Sequence, residues 1–252
     1  MASPFDLTGR TAVVTGANTG ISQAVAIALA QAGANIVAAG RTPPVETAAA
    51  VAETGAGFHA IDADFGSIEP IARVMAETID AFGRLDILVN NAGIIRRAAA
   101  LDFTEDDWDA VMDVNLKTAF FLAQAAARRM INAGNGGKII NIASMLSFQG
   151  GLRVASYTSS KSGLAGLTKA LANEWAPLGV NVNAIAPGYF DTNNTTALRA
   201  DETRSRDILA RIPAGRWGQP SDLGGAAVFL ASAASDYVHG TILAVDGGWL
   251  AR

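Results

Sequence analysis

Thr11-Ala12-Val13-Val14-Thr15-Gly16-Ala17-Asn18-Thr19-Gly20-Ile21-Ser22 reads as a strand running into a glycine turn and then into a helix. Thr11 to Thr15 is a short apolar β run. An Ala/Leu-rich segment follows Ser22 to about Gln31, where Ala32-Gly33 ends it. Glycine at 16 and 20 lets the backbone take positive φ and approach a phosphate, and a helix N-terminus adds N–H donors and the positive end of its dipole. The spacing is G-x-x-x-G-x-S, not the common dinucleotide fingerprint G-x-G-x-x-G. A plain structural turn is the alternative. The position between the first strand and first helix favours pyrophosphate, held by Gly16, Asn18, Thr19, Gly20 and Ile21.

The same alternation continues along the chain. Strands are read at 35–40, 57–64, 85–90, 138–143, 180–186 and 241–245, and helices at 45–54, 68–82, 156–175 and 220–234. Residues 104–132 contain two helical segments, with Thr104 capping an acidic first turn, Glu105-Asp106-Asp107. The strands are continuous apolar runs, the mark of a parallel sheet covered on both faces. An α/β fold follows: one Rossmann-type, doubly wound parallel sheet with helices on both sides, spanning 1–252 as a single dinucleotide-binding and catalytic domain. Residues 191–218 are polar and lie between a strand and a helix, which suits a substrate loop or lid.

Half of the 252 residues are hydrophobic and 17% are charged, a composition that suits a well-buried core. The net charge is −4 with no basic run, so nucleic acid is not an expected partner. There is no cysteine, which excludes disulfides, zinc-thiolate sites and a Cys nucleophile. The two histidines, His59 and His239, are far apart and read as structural or surface residues, so no metal site is expected. Asp6 precedes any apolar run, and no window approaches the ~20 apolar residues of a spanning helix. A soluble cytoplasmic protein without a membrane partner is the expectation.

Several constellations carry chemistry. Tyr157 and Lys161 share one face of a helix, so phenol and ammonium can point into one space, and a neighbouring cation would draw the phenol toward working pH as a general acid/base. Chance spacing on a wet helix face is the alternative. Ser144 ends a strand thirteen residues earlier and can join the phenol on one carbonyl oxygen. The lack of a G-x-S-x-G elbow, and of a supporting context around either histidine, argues against a Ser-His-Asp hydrolase. At the end of the second strand, Gly40 stands where an acid would hold a ribose 2′-OH, and Arg41 follows. A guanidinium suits a 2′-phosphate, which leans to NADP(H), whereas an Arg41 stacked on adenine would leave NAD(H) open. Asn91-Ala92-Gly93 closes another strand and Asp64 another, where they can receive a cofactor or simply make turns.

Together, Thr15-Gly16-x-x-x-Gly20, Asn90-Asn91-Ala92-Gly93, Asn115, Ser144, Tyr157-x-x-x-Lys161 and Pro187-Gly188 with Thr192 resemble the short-chain dehydrogenase/reductase family over essentially the whole length. Ser22 departs from the third glycine usual there. The resemblance implies Tyr157 as acid/base, Ser144 on the substrate oxygen, and Lys161 lowering the Tyr157 pKa and binding the nicotinamide ribose. It implies Asn115 anchoring a relay water, Thr192 on the carboxamide and Pro187-Gly188 lining the nicotinamide pocket. It also implies metal-free chemistry and a homotetramer.

Within the family, segments such as 91–97, 143–153, 187–195 and 212–218 are similar to dehydrogenases of keto-deoxy sugar acids (2-dehydro-3-deoxy-D-gluconate or 2-deoxy-D-gluconate) in pectin and uronate catabolism. Those members are associated with NAD(H), against the lean of Arg41. A carboxylate with several hydroxyls needs a cation and polar donors. Arg97 and Arg153 are the expected carboxylate clamp, Arg96 less so because adjacent side chains diverge. Gln149, Tyr189, Asn193 and Asn194 are the expected hydroxyl readers. Oxidation of gluconate at C5, general carbonyl reduction, or a non-catalytic dinucleotide-binding regulator are the alternatives.

Overall fold

The computed structural model describes residues 3–251, apart from the side chain of Asn194. Its elements run β1 (Thr11–Thr15), α1 (Gly20–Gln31), β2 (Asn35–Gly40), α2 (Val45–Ala52), β3 (Phe58–Asp62), α3 (Ile71–Phe82) and β4 (Ile87–Asn90). They continue with α4 (Glu105–Met112), α5 (Thr118–Asn132), β5 (Gly137–Ile142), α6 (Ala155–Trp175) and β6 (Val180–Pro187). The chain closes with α7 (Thr196–Ala200), α8 (Glu202–Arg211), α9 (Gly224–Ala231) and β7 (Ile242–Val245). The seven strands form one sheet in the order β3-β2-β1-β4-β5-β6-β7, and every pairing is parallel.

Every residue of β1 and β6 is buried, because helices cover both faces; the two asparagines that interrupt β6 are satisfied there, Asn181 Nδ2 donating to Asp236 O (3.0 Å) and Asn183 Nδ2 to Val238 O (2.8 Å). Successive side chains of β1 serve opposite sides. Ala12 and Val14 pack with Val25 and Leu29 of α1 and with Leu230 of α9. Val13 packs with Val74 of α3, Leu122 and Met130 of α5, and Leu171 of α6. From β1 the chain order runs outward in both directions, so the crevice between the carboxyl ends of β1 and β4 is the topological switch point.

Four details differ from the sequence reading. The helix expected from residue 68 begins at Ile71, because Pro70 takes the capping position, where its missing N–H costs nothing. The two segments within 104–132 join through a π-helical turn, Asp113–Lys117, that carries Asn115. The helix expected over 220–234 is an α-helix only at α9, with a 3-10 turn before and after it. Residues 191–218 are not open loop: they carry α7 and α8, and both ends meet at a short bridge. There the Asp191 amide donates to Gly218 O (2.7 Å) and the Gly218 amide to Tyr189 O (2.8 Å). Among the described residues, no helix is long and apolar enough to cross a membrane.

Candidate active site

The carboxyl ends of the strands open into a cavity of about 1330 Å³, above the ~300–1,000 Å³ typical of a site for one small molecule. Its floor is the glycine turn. Gly16 (φ 70°) and Gly20 (φ 62°) are both left-handed, as the sequence suggested. A Cβ on Gly40 would lie 3.5 Å from Gly16 Cα, and one on Gly16 would lie 3.5 Å from Ala92 Cα, so three segments already meet at van der Waals contact. Ser22, the departure from a third glycine, is buried and points its hydroxyl inward, donating to Gly16 O (2.5 Å) with Thr19 O 3.3 Å away. Thr47 Oγ1 donates to Ala17 O (2.6 Å). The Gly16 amide donates to Ala39 O (2.8 Å), so the start of α1, from Gly20, is where N–H donors for a phosphate are expected.

Thr15 shapes the next wall. Its Oγ1 accepts from the amides of Asn91 (3.0 Å) and Ala92 (2.9 Å), which fastens the Asn-Ala-Gly segment to the end of β1. Arg41 and Asp64 face the cavity at its outer end, exposed and 3.9 Å apart. Asp64 also accepts from the Gly66 amide (2.9 Å), so the turn role considered for it is realised as well. Thr192 lies across from the glycine turn: a Cβ on Gly20 would meet its methyl at 3.7 Å. Gly188 donates to Val245 O (2.9 Å), and a Cβ there would come within 2.6 Å of Asp246 Cα, so only glycine fits.

Ser144 leaves β5 extended and caps a short 3-10 turn, its Oγ accepting from the Leu146 amide (3.1 Å). That bond uses a lone pair and leaves the hydroxyl proton free to donate. Tyr157 and Lys161 lie on α6, with Nζ 5.6 Å from the phenol ring centre. Lys161 is buried, and Nζ donates to Ile142 O (2.6 Å). Burial pushes its pKa down from 10.5 to about 8. The expectation that Lys161 draws the phenol down needs correction. Burial raises the Tyr157 pKa, and the influences opposing it are a hydrogen bond with Ser144 and the Arg97 charge. Desolvation outweighs both, because a phenolate loses more by leaving water than these neighbours return.

Asn115 does not line the cavity but braces it from behind. Its Oδ1 accepts from the Ile94 amide (2.8 Å), and its Nδ2 donates to Ile94 O (2.9 Å) and Ser160 Oγ (3.2 Å). Ser160 Oγ in turn donates to Tyr157 O (2.8 Å). Both amide protons are therefore committed, so the side chain braces the Tyr157 helix.

The expected substrate residues divide. Arg97, Gln149, Arg153, Tyr189 and Asn193 all face the cavity; the side chain of Asn194 lies outside the described residues. Arg96 is paired with Asp107 (3.1 Å). Tyr189 is partly packed into an aromatic group, edge-on to Trp249 (4.8 Å) and Trp217 (5.5 Å). Arg153 is the one described non-glycine residue at positive φ (63°), and its carbonyl accepts from the Ala98 amide (3.2 Å). Sequence reading missed Arg204 and Arg211, which bring two further guanidiniums to the wall. Their spacing with Ile208 along α8 was the available signal, hidden because the segment read as loop. Missed too were Thr15 and Ser160 as braces, since hydroxyl-to-backbone bonds across distant segments leave no local pattern.

The chain matches the family model described as enoyl-(acyl carrier protein) reductase over residues 16–250. It is 60% identical over 250 residues to 2-dehydro-3-deoxy-D-gluconate 5-dehydrogenase of Escherichia coli, covering 99% of each chain. It is 56% identical to the protein of the same name from Bacillus subtilis, covering 98% of this chain and 97% of that one. Among solved structures, a gluconate 5-dehydrogenase from Burkholderia cenocepacia in complex with NADP and tartrate superposes with a TM-score of 0.92 at 43% identity. That match covers 99% of this chain and 98% of the other.

Proposed function

We propose, from the fact that the chain belongs to the short-chain dehydrogenase/reductase family, that it interconverts a hydroxyl and a ketone on a keto-deoxy sugar acid. As a family member it is an NAD(P)-dependent oxidoreductase acting on CH–OH groups. The substrate we favour is 2-dehydro-3-deoxy-D-gluconate, oxidised to its 2,5-diketo form, or 2-deoxy-D-gluconate. The observation that carries this reading is one cavity that combines Ser144, Tyr157 and Lys161 with six arginines: Arg41 near Asp64, Arg96 paired with Asp107, and the guanidiniums of Arg97, Arg153, Arg204 and Arg211. In a chain of net charge −4, such a wall selects for an anion. The names of the relatives support the same class, and gluconate is the second reading.

The bound dinucleotide supplies the hydride acceptor for oxidation or the hydride donor for reduction. The turn from Gly16 to Ile21 would hold its pyrophosphate, with donors from the N–H groups at the start of α1 and Gly16 allowing close approach. Arg41 would take a 2′-phosphate once released from Asp64, and the NADP in the solved gluconate 5-dehydrogenase supports a preference for NADP(H). Thr192 and Pro187-Gly188 would hold the nicotinamide end, and Lys161 the ribose beside it. Ser144 donates to the reacting oxygen. Tyr157 takes the hydroxyl proton when the alcohol is oxidised and returns it when the ketone is reduced. Asn115 keeps the Tyr157 helix and the Ile94 backbone in register. The same reading carries a cytoplasmic homotetramer acting in uronate and pectin catabolism, which sedimentation and growth on uronates would test.

The deciding experiment is a turnover panel of sugar acids against NADH and NADPH, run with Tyr157→Phe in parallel. The variant should bind dinucleotide normally and lose roughly 10²–10⁴-fold in turnover. Undiminished turnover in that variant would overturn the mechanism, and dinucleotide binding with no turnover of any sugar acid by the wild-type protein would favour a dinucleotide-binding regulator.

A further inference from the structure

Of the six arginines that line the cavity, Arg41 lies near Asp64 and Arg96 is paired with Asp107, and the other four are not equivalent. The Arg97 charge acts on the Tyr157 phenol, so it stands at the proton-transfer end. In Arg153 the constrained part is the backbone, at φ 63° with its carbonyl bonded to Ala98. Arg204, Ile208 and Arg211 follow one another at i, i+4 and i+7 on α8, which places them on one face. Ile208 is buried against Met145 and Trp249 and turns that face inward.

Of the four, Arg211 is held on two sides. Its Cζ lies 4.0 Å from the Trp249 ring centre, and its Nη2 donates to Gln149 Oε1 (3.5 Å). Trp249 Nε1 donates to the same Oε1 (3.2 Å). Two donors on one oxygen decide which way the Gln149 amide is turned, and its Nε2 is left as the free, donating end. Among the described residues no carboxylate is paired with Arg211. A guanidinium stacked on an indole keeps its in-plane N–H groups available, and one already oriented loses less freedom when it binds.

We propose that Arg211 and the Gln149 Nε2 together form the subsite for the substrate carboxylate, in place of Arg97 or Arg153. This rests on the sugar-acid reading. Gln149 follows Ser144 by five residues in one loop, so the subsite and the oxygen-binding hydroxyl share a single support. In a sugar acid oxidised at C5, four carbon–carbon bonds separate the reacting carbon from the carboxylate, so the anion must sit apart from Tyr157. The clamp is also built from three places in the chain: the Ser144 loop, α8 and the C-terminal Trp249.

The test compares kcat/KM for the sugar acid and for its methyl ester, in wild type and in Arg211→Met, Arg211→Lys, Gln149→Leu, Arg97→Met and Arg153→Met. Arg211→Met should cut the acid-over-ester ratio by roughly 10- to 100-fold, mostly through KM for the acid. Arg211→Lys should recover only part, because an ammonium cannot offer the planar fork. Gln149→Leu should lower the ratio by a smaller factor. Loss of the ratio in Arg97→Met or Arg153→Met with Arg211→Met unaffected would overturn the subsite and leave the sugar-acid reading standing. A wild-type enzyme with no preference for acid over ester would overturn both. Circular dichroism of each variant separates binding loss from misfolding.

Discussion

Replacing Lys161 by Met tests the electrostatics of the site without any substrate. Met keeps the apolar stem and removes the charge. In the wild-type protein, burial lowers the lysine pKa from 10.5 to about 8. The group is a base whose folded-state pKa is depressed, so between those two values the unfolded chain binds more protons and stability rises with pH. At about pH 7 the buried ammonium costs about 3 kcal/mol relative to the unfolded chain. Near pH 10 most of that cost has gone, a gain of about 2.5 kcal/mol from this group alone. The variant lacks the gain. At neutral pH its relief from the buried charge is offset by the lost bond to Ile142 O, worth about 1–3 kcal/mol. The difference in pH dependence is therefore the clean quantity. Urea unfolding of both proteins near pH 7 and pH 10, without dinucleotide, measures it, with the variant serving as control for every other titrating group. Equal gains in the two proteins, within about 0.5 kcal/mol, would refute the depressed lysine.

Arg41→Ala should raise KM for NADP(H) by roughly 10- to 100-fold and leave NAD(H) nearly unchanged, since it removes a charge-assisted bond worth about 1.5–3 kcal/mol; initial-rate kinetics with both dinucleotides check this, and an equal effect on the two would place Arg41 on the adenine. Ser22→Ala should weaken dinucleotide binding by about fivefold and lower stability by about 1 kcal/mol, measured by fluorescence titration and urea unfolding, because the Gly16 carbonyl loses its inward tie. An unchanged Kd would mean that the turn is held by Thr47 and its neighbours alone.

Element types and most strand positions were legible because burial on both faces leaves its mark in continuous apolar runs such as residues 36–39 of β2. Boundaries shifted where one residue governs: Pro70 delayed α3. Within the site, Gly16, Gly20, Ser144, Tyr157 and Lys161 were legible because each needs a particular residue type at a short spacing from the next. The sign of the Tyr157 shift was not, since a neighbouring cation can be inferred from spacing but desolvation cannot. Arg211 was hidden for a related reason: its value depends on Trp249 and Gln149, far from it in the chain.

The chain's own order thus determined the alternating fold, the phosphate turn and the reacting pair, all of which rest on local backbone geometry and helical periodicity. Only the tertiary structure decided how those parts are tuned. It buried Lys161 against Ile142 O, tied Asn115 to Ile94 and Ser160, and stacked Arg211 on Trp249. Burial, charge partners and side-chain orientation arise from contacts between segments that only folding brings together, so no local pattern records them.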